Sequence, residues 1–322
     1  MKHNKKTIIT LITFFFIIQI IGILVINQYY KPESNLQQED LFIKNQTLSN
    51  VFSIFTTILI IFLITALIFK YKVDIVMKTW FLIVVIMSCM ITINALFVNS
   101  EYTLFSSIIS LVIASFLGFS KMFFPNKWVS YLSDILIYPG LSMVFIYTLF
   151  RQNDPKYNMI ILFVLLTLIS IYDFWAVNKS KIMLKMANYQ MQKLNFFGGI
   201  IIPIISKEDK QKIKLIKSKY KDKKEIEKKI KRSKIKISAA ALGGGDIAFT
   251  TIAMGMFMYS FPSQSLFGIV GLIPGLFALL GGSLGLLYIF LFGDPKKAYP
   301  AMPYITVGII TTSIIWSLIF LV

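Results

Sequence analysis

The sequence predicts an all-α, polytopic membrane protein of nine transmembrane helices. Three observations carry this. The chain has 322 residues, of which 56% are hydrophobic and only 15% charged, where a soluble domain carries about a quarter charged residues. The apolar residues gather in runs long enough to cross a bilayer, which takes ~20 helical residues. Lysine and arginine alternate from one side of those runs to the other.

The runs fall at 7–27, 50–69, 79–98, 103–122, 128–150, 158–178, 237–259, 266–292 and 300–321. The first has too long an apolar core for a signal peptide, and Gln28-Tyr29-Tyr30-Lys31 follows it in place of a small-residue cleavage site. The fourth is the weakest, being rich in serine. Lys2, Lys5 and Lys6 precede span one; Lys70, Lys72 and Lys78 follow span two; Lys121 and Lys127 follow span four; Lys296 and Lys297 follow span eight. The other side holds Lys31, Lys44, Arg151 and Lys156 against Glu33, Glu39, Asp40, Glu101 and Asp154. Positive charge favours the cytoplasmic side, so the N-terminus is expected inside, the C-terminus outside, and the protein in the cell membrane.

The chain divides into a six-helix part, 1–178, a basic cytoplasmic loop, 179–236, and a three-helix part, 237–322. The loop accounts for much of the +18 net charge. Between Lys207 and Lys236, Ile213, Ile216, Ile226 and Ile230 recur at near-helical spacing. This fits a solvated, partly helical loop, or a surface helix on anionic lipid headgroups. A single aromatic residue, Tyr220, lies within the charge and no folded module accompanies it, so nucleic acid is not expected as a partner. A shorter apolar stretch, Phe197–Ile205, is too short to span. It reads either as an interfacial segment or as a β-strand beside the site that pairs with an unwound substrate.

The inventory of reactive groups is small. His3 is the one histidine and Cys89 the one cysteine. A Ser–His dyad in the membrane, an HExxH zinc site and a cysteine-based metal site therefore cannot be built, and no metal or cofactor is expected. Carboxylates remain. An ionisable residue within a span costs at least ~2.5 kcal/mol on insertion scales, and three acids fall inside spans: Asp134, Asp173 and Asp246. Asp134 lies near the start of span five, close to Lys127 and within reach of the interface, and reads as structural. Asp173 lies in Ile171-Tyr172-Asp173-Phe174-Trp175 near the end of span six. Asp246 follows Leu242-Gly243-Gly244-Gly245 in span seven. At 1.5 Å per helical residue, Asp246 lies ~14 Å in from Ile237 and Asp173 about 7–12 Å from the end of its helix. Two carboxylates at one depth on consecutive antiparallel helices suit a dyad. Placed about 3 Å apart they cannot both ionise, so one serves as base on a water and the other donates a proton to a carbonyl. The glycines allow close backbone approach and weaken the helix locally.

Tyr172-Asp173, then Leu242-Gly243-Gly244-Gly245-Asp246, then Pro300-Ala301-Met302-Pro303 resembles the presenilin and signal peptide peptidase family. Its marks are a YD in the sixth helix, a GxGD in the seventh and a PAL-type motif opening the ninth, and small archaeal members are the most similar. The resemblance implies an intramembrane aspartyl endopeptidase that cuts transmembrane helices of single-span substrates. Asp173 and Asp246 would be its catalytic pair, Gly243 and Gly245 the fixed glycines, and Pro300, Ala301 and Met302 the loop beside them. Met302 stands where the family has leucine, a substitution close in volume. The expected orientation is that of presenilin, which implies type I substrates. Buried carboxylates could also serve a proton-coupled transporter or channel, although no inverted repeats of broken helices are seen. Prepilin peptidase, another GxGD enzyme, lacks the proline motif and the span count. A silent scaffold is the fourth reading.

Overall fold

The computed structural model describes residues 5–30, 74–97, 103–124, 126–150, 155–180, 198–204, 238–293 and 299–320, with single positions at 183, 186, 189 and 190. The predicted second span, and the basic run 207–236, lie outside the described residues. Eight long helices and one two-stranded sheet make up the rest. The helices are α1 (Lys5–Tyr30), α2 (Asp74–Phe97), α3 (Thr103–Phe123), α4 (Lys127–Phe150), α5 (Pro155–Asn178), α6 (Gly244–Ser260), α7 (Leu272–Phe292) and α8 (Met302–Phe320); the strands are β1 (Gly199–Ile204) and β2 (Ser238–Gly243).

Seven of these helices, all but α6, are long and apolar enough to cross a membrane. Their outward faces carry large apolar side chains such as Phe116, Ile160 and Val307, as lipid contact requires. The 17-residue α6 differs. It packs against α1, α4, α5, α7 and α8 and is buried almost throughout its length, the pattern of a helix enclosed by its neighbours.

Glycines set the close approaches. A Cβ at Gly281 would run into the backbone of Gly308, and one at Gly285 into that of Tyr304, so α7 and α8 touch along their main chains. Pro139 lies inside α4, and Thr92 Oγ1 of α2 donates to the Leu136 carbonyl at 2.7 Å, next to the point where the ladder is interrupted.

Three sequence expectations need correction. The sequence predicts helix from 237 in span seven; residues 238–243 are instead a strand, and the helix begins at Gly244. Ser238 to Ala241 is an alanine-rich run that favours helix by propensity, but its backbone pairs with β1. The fold is therefore all-helical in class, with one small two-stranded sheet added. The predicted eighth span, which is α7, starts as helix at Leu272, not at 266. Phe267 and Gly268 have positive φ (53° and 74°), and Leu266 and Ile269 exchange backbone hydrogen bonds at 3.0 and 3.2 Å, so a tight type I′ turn occupies its expected first turn. Asp134, expected near the interface beside Lys127, is buried and ion-paired with Lys121 of α3.

Candidate active site

The strand-to-helix junction is built by the glycine run. β1 and β2 are antiparallel, with Gly199 opposite Gly243 and Ile204 opposite Ser238. The Gly244 N–H donates to the Gly198 carbonyl at 3.0 Å. That bond makes 198/244 a hydrogen-bonded pair, so by alternation 200/242, 202/240 and 204/238 face each other. The amides and carbonyls of Ile201 then point to the outer edge of β1, where Tyr131 Oη of α4 donates to the Ile201 carbonyl at 3.1 Å. Pro203, which has no N–H, also occupies an outward position and costs the ladder nothing. Within the apolar stretch, Gly199–Ile204 thus form a strand, which matches the strand part of the second reading.

Gly243 is the N-cap of α6, with extended backbone (φ −64°, ψ 139°), and Asp246 sits in the first turn. Asp246 is the third helical residue, from which an acidic side chain can reach back to the cap N–H. It does so: its carboxylate accepts the backbone N–H of Gly243. The fit is tight. A Cβ on Gly243 would stand 2.8 Å from Asp246 Oδ2. Asp246 is therefore one turn into a helix that starts late, not two to three turns into a long one, and β2 carries the chain to it.

Asp173 comes from α5 and is held by the start of α8. Its Oδ2 accepts the Met302 N–H at 3.1 Å, and the Ala301 N–H donates to the same carboxylate. The first N–H groups of a helix have no partner within it. Pro300 and Pro303 carry none, so Ala301 and Met302 are the donors that this proline-flanked loop can offer. One turn further along, Ser170 Oγ and Thr306 Oγ1 lie 2.7 Å apart, and Thr306 Oγ1 donates to the Leu166 carbonyl at 3.4 Å. These bonds clasp α5 to α8 beside the carboxylate.

Asp173 and Asp246 are both buried, at 5% and 8% exposure, and each lies in the other's electrostatic field. Each accepts backbone N–H groups from a helix start, an arrangement that stabilises negative charge. The chain belongs to the signal-peptide peptidase, presenilin aspartyl protease family. The family model matches residues 12–322. The fold also resembles a solved presenilin family intramembrane aspartate protease, with 14% identity, a TM-score of 0.57, and coverage of 97% of this chain and 98% of that one. A search of curated proteins returned no match. The chain is thus a multi-pass intramembrane aspartyl protease, which sets aside the transporter, prepilin-peptidase and scaffold readings.

The residues singled out from sequence do not all converge. Leu242 is buried in β2; Gly243, Gly244 and Gly245 form the junction; Pro300, Ala301, Met302 and Pro303 lead into α8 against Asp173. Tyr172 turns away. Its ring is 43% exposed and lies 6.4 Å from that of Trp175, about 100° around α5 from Asp173.

Other groups at the site went unrecognised in the sequence. Gln19 of α1 is fully buried; its Nε2 donates to the Ile247 carbonyl at 3.2 Å, and Thr251 Oγ1 donates to its Oε1 at 3.1 Å. Ser142 Oγ of α4 donates to the Ala248 carbonyl at 3.1 Å. Tyr138 of α4 packs on Gly244: a Cβ there would lie 2.7 Å from its Cε1. A polar side chain within an apolar span was the available signal, but Ser and Thr are too common in spans to stand out.

Proposed function

We propose that Asp173 and Asp246 are the catalytic pair of this protease, and that it cleaves single-span transmembrane proteins within the cell membrane. One observation carries the assignment: two buried carboxylates from different elements lie within electrostatic range of each other, one on α5 held by the start of α8 and one in the first turn of α6. The charged member removes a proton from water, whose oxygen attacks the scissile carbonyl carbon. The other member donates its proton to the carbonyl oxygen. The resulting gem-diol collapses, the amide nitrogen takes a proton, and the C–N bond breaks to leave a carboxyl and an amine. The pair exchanges its proton as a unit.

A peptide bond inside a helix is shielded, so the substrate must be extended first. One of the two sequence readings made 197–205 the receiving strand, but the outer edge of β1 faces α4 and is bonded by Tyr131. The outer edge of β2 is the better acceptor. The outward backbone groups of Ala239 and Ala241 lead along it to Gly243, whose N–H already holds Asp246. A substrate strand added there would bring its carbonyls to Asp246.

The nine-span plan, with a cytoplasmic N-terminus, an outside C-terminus and therefore type I substrates, rests on the charge alternation. The 207–236 run would contact anionic headgroups, and nucleic acid has no part. Cleavage of a single-span reporter by the purified protein tests the central reading. Asp173→Ala and Asp246→Ala should each abolish it, and cleavage surviving either change would remove the dyad. C-terminal reporter fusions that read as cytoplasmic would refute the orientation.

A further inference from the structure

The mechanism leaves one buried ion pair unused. Lys121 and Asp134 join α3 to α4 with both side chains only 4% exposed. A pair buried this deeply could be replaced by apolar residues with little loss of stability, or with gain, and in a bilayer its cost is higher still. Asp134 stands one helical turn before Tyr138, on the same face of α4. Tyr138 is 4% exposed. Its ring and hydroxyl pack against Gly244, with Cε1 at 2.7 Å and Oη at 2.8 Å from where a Cβ on that residue would be. The hydroxyl lies in the electrostatic field of both Asp134 and Asp246. Lys121 of α3, then Asp134 and Tyr138 along one face of α4, are thus polar groups that follow one another toward the junction two residues before Asp246. The other groups facing this line are Cys89 of α2, beside the ion pair, and Asp173 of α5, beside Asp246.

We propose that Tyr138 is a positioning residue for Asp246, and that the Lys121–Asp134 pair sets the placement of Tyr138. The ring forms a wall beneath Gly244 and fixes where α6 begins. The hydroxyl, beside Gly244, presents a dipole within electrostatic range of the Asp246 carboxyl. The ion pair locks α4 against α3, and so fixes the height of Tyr138 relative to the junction. This assignment rests on the dyad reading above.

The experiment measures kcat and KM for a fluorogenic single-span peptide in detergent micelles, together with thermal unfolding. Tyr138→Phe keeps the wall and removes the hydroxyl. It should lower kcat about tenfold with KM and Tm unchanged. Changing Asp134 alone would leave the Lys121 charge buried without its counter-ion, so the pair is replaced together, as Lys121→Met with Asp134→Leu. That variant should fold, keep KM and lose kcat. Tyr138→Phe added to it should cause little further loss, because both changes act through one carboxylate. Multiplying losses would overturn the link between the ion pair and Tyr138. Full kcat in Tyr138→Phe, with cleavage abolished in Asp246→Asn, would overturn the tyrosine assignment alone. Cleavage that survives Asp246→Asn would overturn the dyad reading and this assignment with it.

Discussion

Replacing the three junction glycines by alanine, one at a time, should give three different outcomes. All three have negative φ, so no conformational need for glycine separates them. Space does. At Gly244 the new methyl meets the Tyr138 ring at 2.7 Å and the Gly198 carbonyl oxygen at 2.8 Å, about 0.6 Å short of ordinary contact on both sides. One neighbour is a buried ring and the other is backbone, so neither yields cheaply. Overpacking of this kind costs about 1–3 kcal/mol, and Gly244→Ala should lower the Tm by several degrees. At Gly243 the methyl meets only the Asp246 carboxylate, 2.8 Å away. That side chain can swing aside, so stability should change little. Activity should fall tenfold or more, because small displacements of a reacting group cost up to about a hundredfold per ångström. At Gly245 the nearest atoms are those of the Phe249 ring, 3.9 Å away, and helix propensity favours alanine by up to about 1 kcal/mol. Gly245→Ala should fold at least as stably as wild type. The assays are thermal unfolding in one detergent and kcat on a single-span reporter. Gly245→Ala as destabilising as Gly244→Ala, or Gly243→Ala with full kcat, would refute the steric reasoning.

Other changes should report on the supports around the site. Ser170→Ala removes one partner of the α5–α8 clasp; at about 1 kcal/mol for such a bond, kcat should drop roughly fivefold, and an unchanged kcat would show that the clasp does not hold Asp173. Tyr131→Phe uncovers the Ile201 carbonyl and should lower stability by about 0.5–1.5 kcal/mol, read as a lower Tm. Gly308→Leu places a branched side chain where α7 and α8 touch along their backbones; folded protein should be lost, as judged by size-exclusion profile and unfolding. Gln19→Leu removes an α1 link to the carbonyl of Ile247 and to Thr251, and should lower stability more than a lipid-facing change such as Ile20→Leu, at a position that is 55% exposed.

Most of the helical plan was legible in the sequence, because a bilayer demands long apolar runs and their lengths can be counted. Seven predicted spans coincide with helices long enough to cross, and Asp173 and Asp246 stood out because charge within such a run is costly. The proline-flanked Ala301 and Met302 were legible as a motif. Their task, donating N–H groups to Asp173, was not, because hydrogen bonds between elements distant in sequence leave no local pattern. The same reason hid Tyr138, Ser170 and Thr306. Each is an ordinary residue of an apolar helix until a partner helix is placed against it.

The clearest division lies at residues 238–246. Sequence alone determined that an aspartate would be buried here after a glycine run, and that the run weakens helix. It could not determine that the alanines before it form a strand, because by local propensity those alanines belong to the helix. Tertiary pairing with Gly199–Ile204 decided that. Backbone groups away from water must find partners, and once β1 offers them, the chain is extended to Gly243 and the helix begins at Gly244. Asp246 then falls in the first turn, where it can reach the Gly243 N–H.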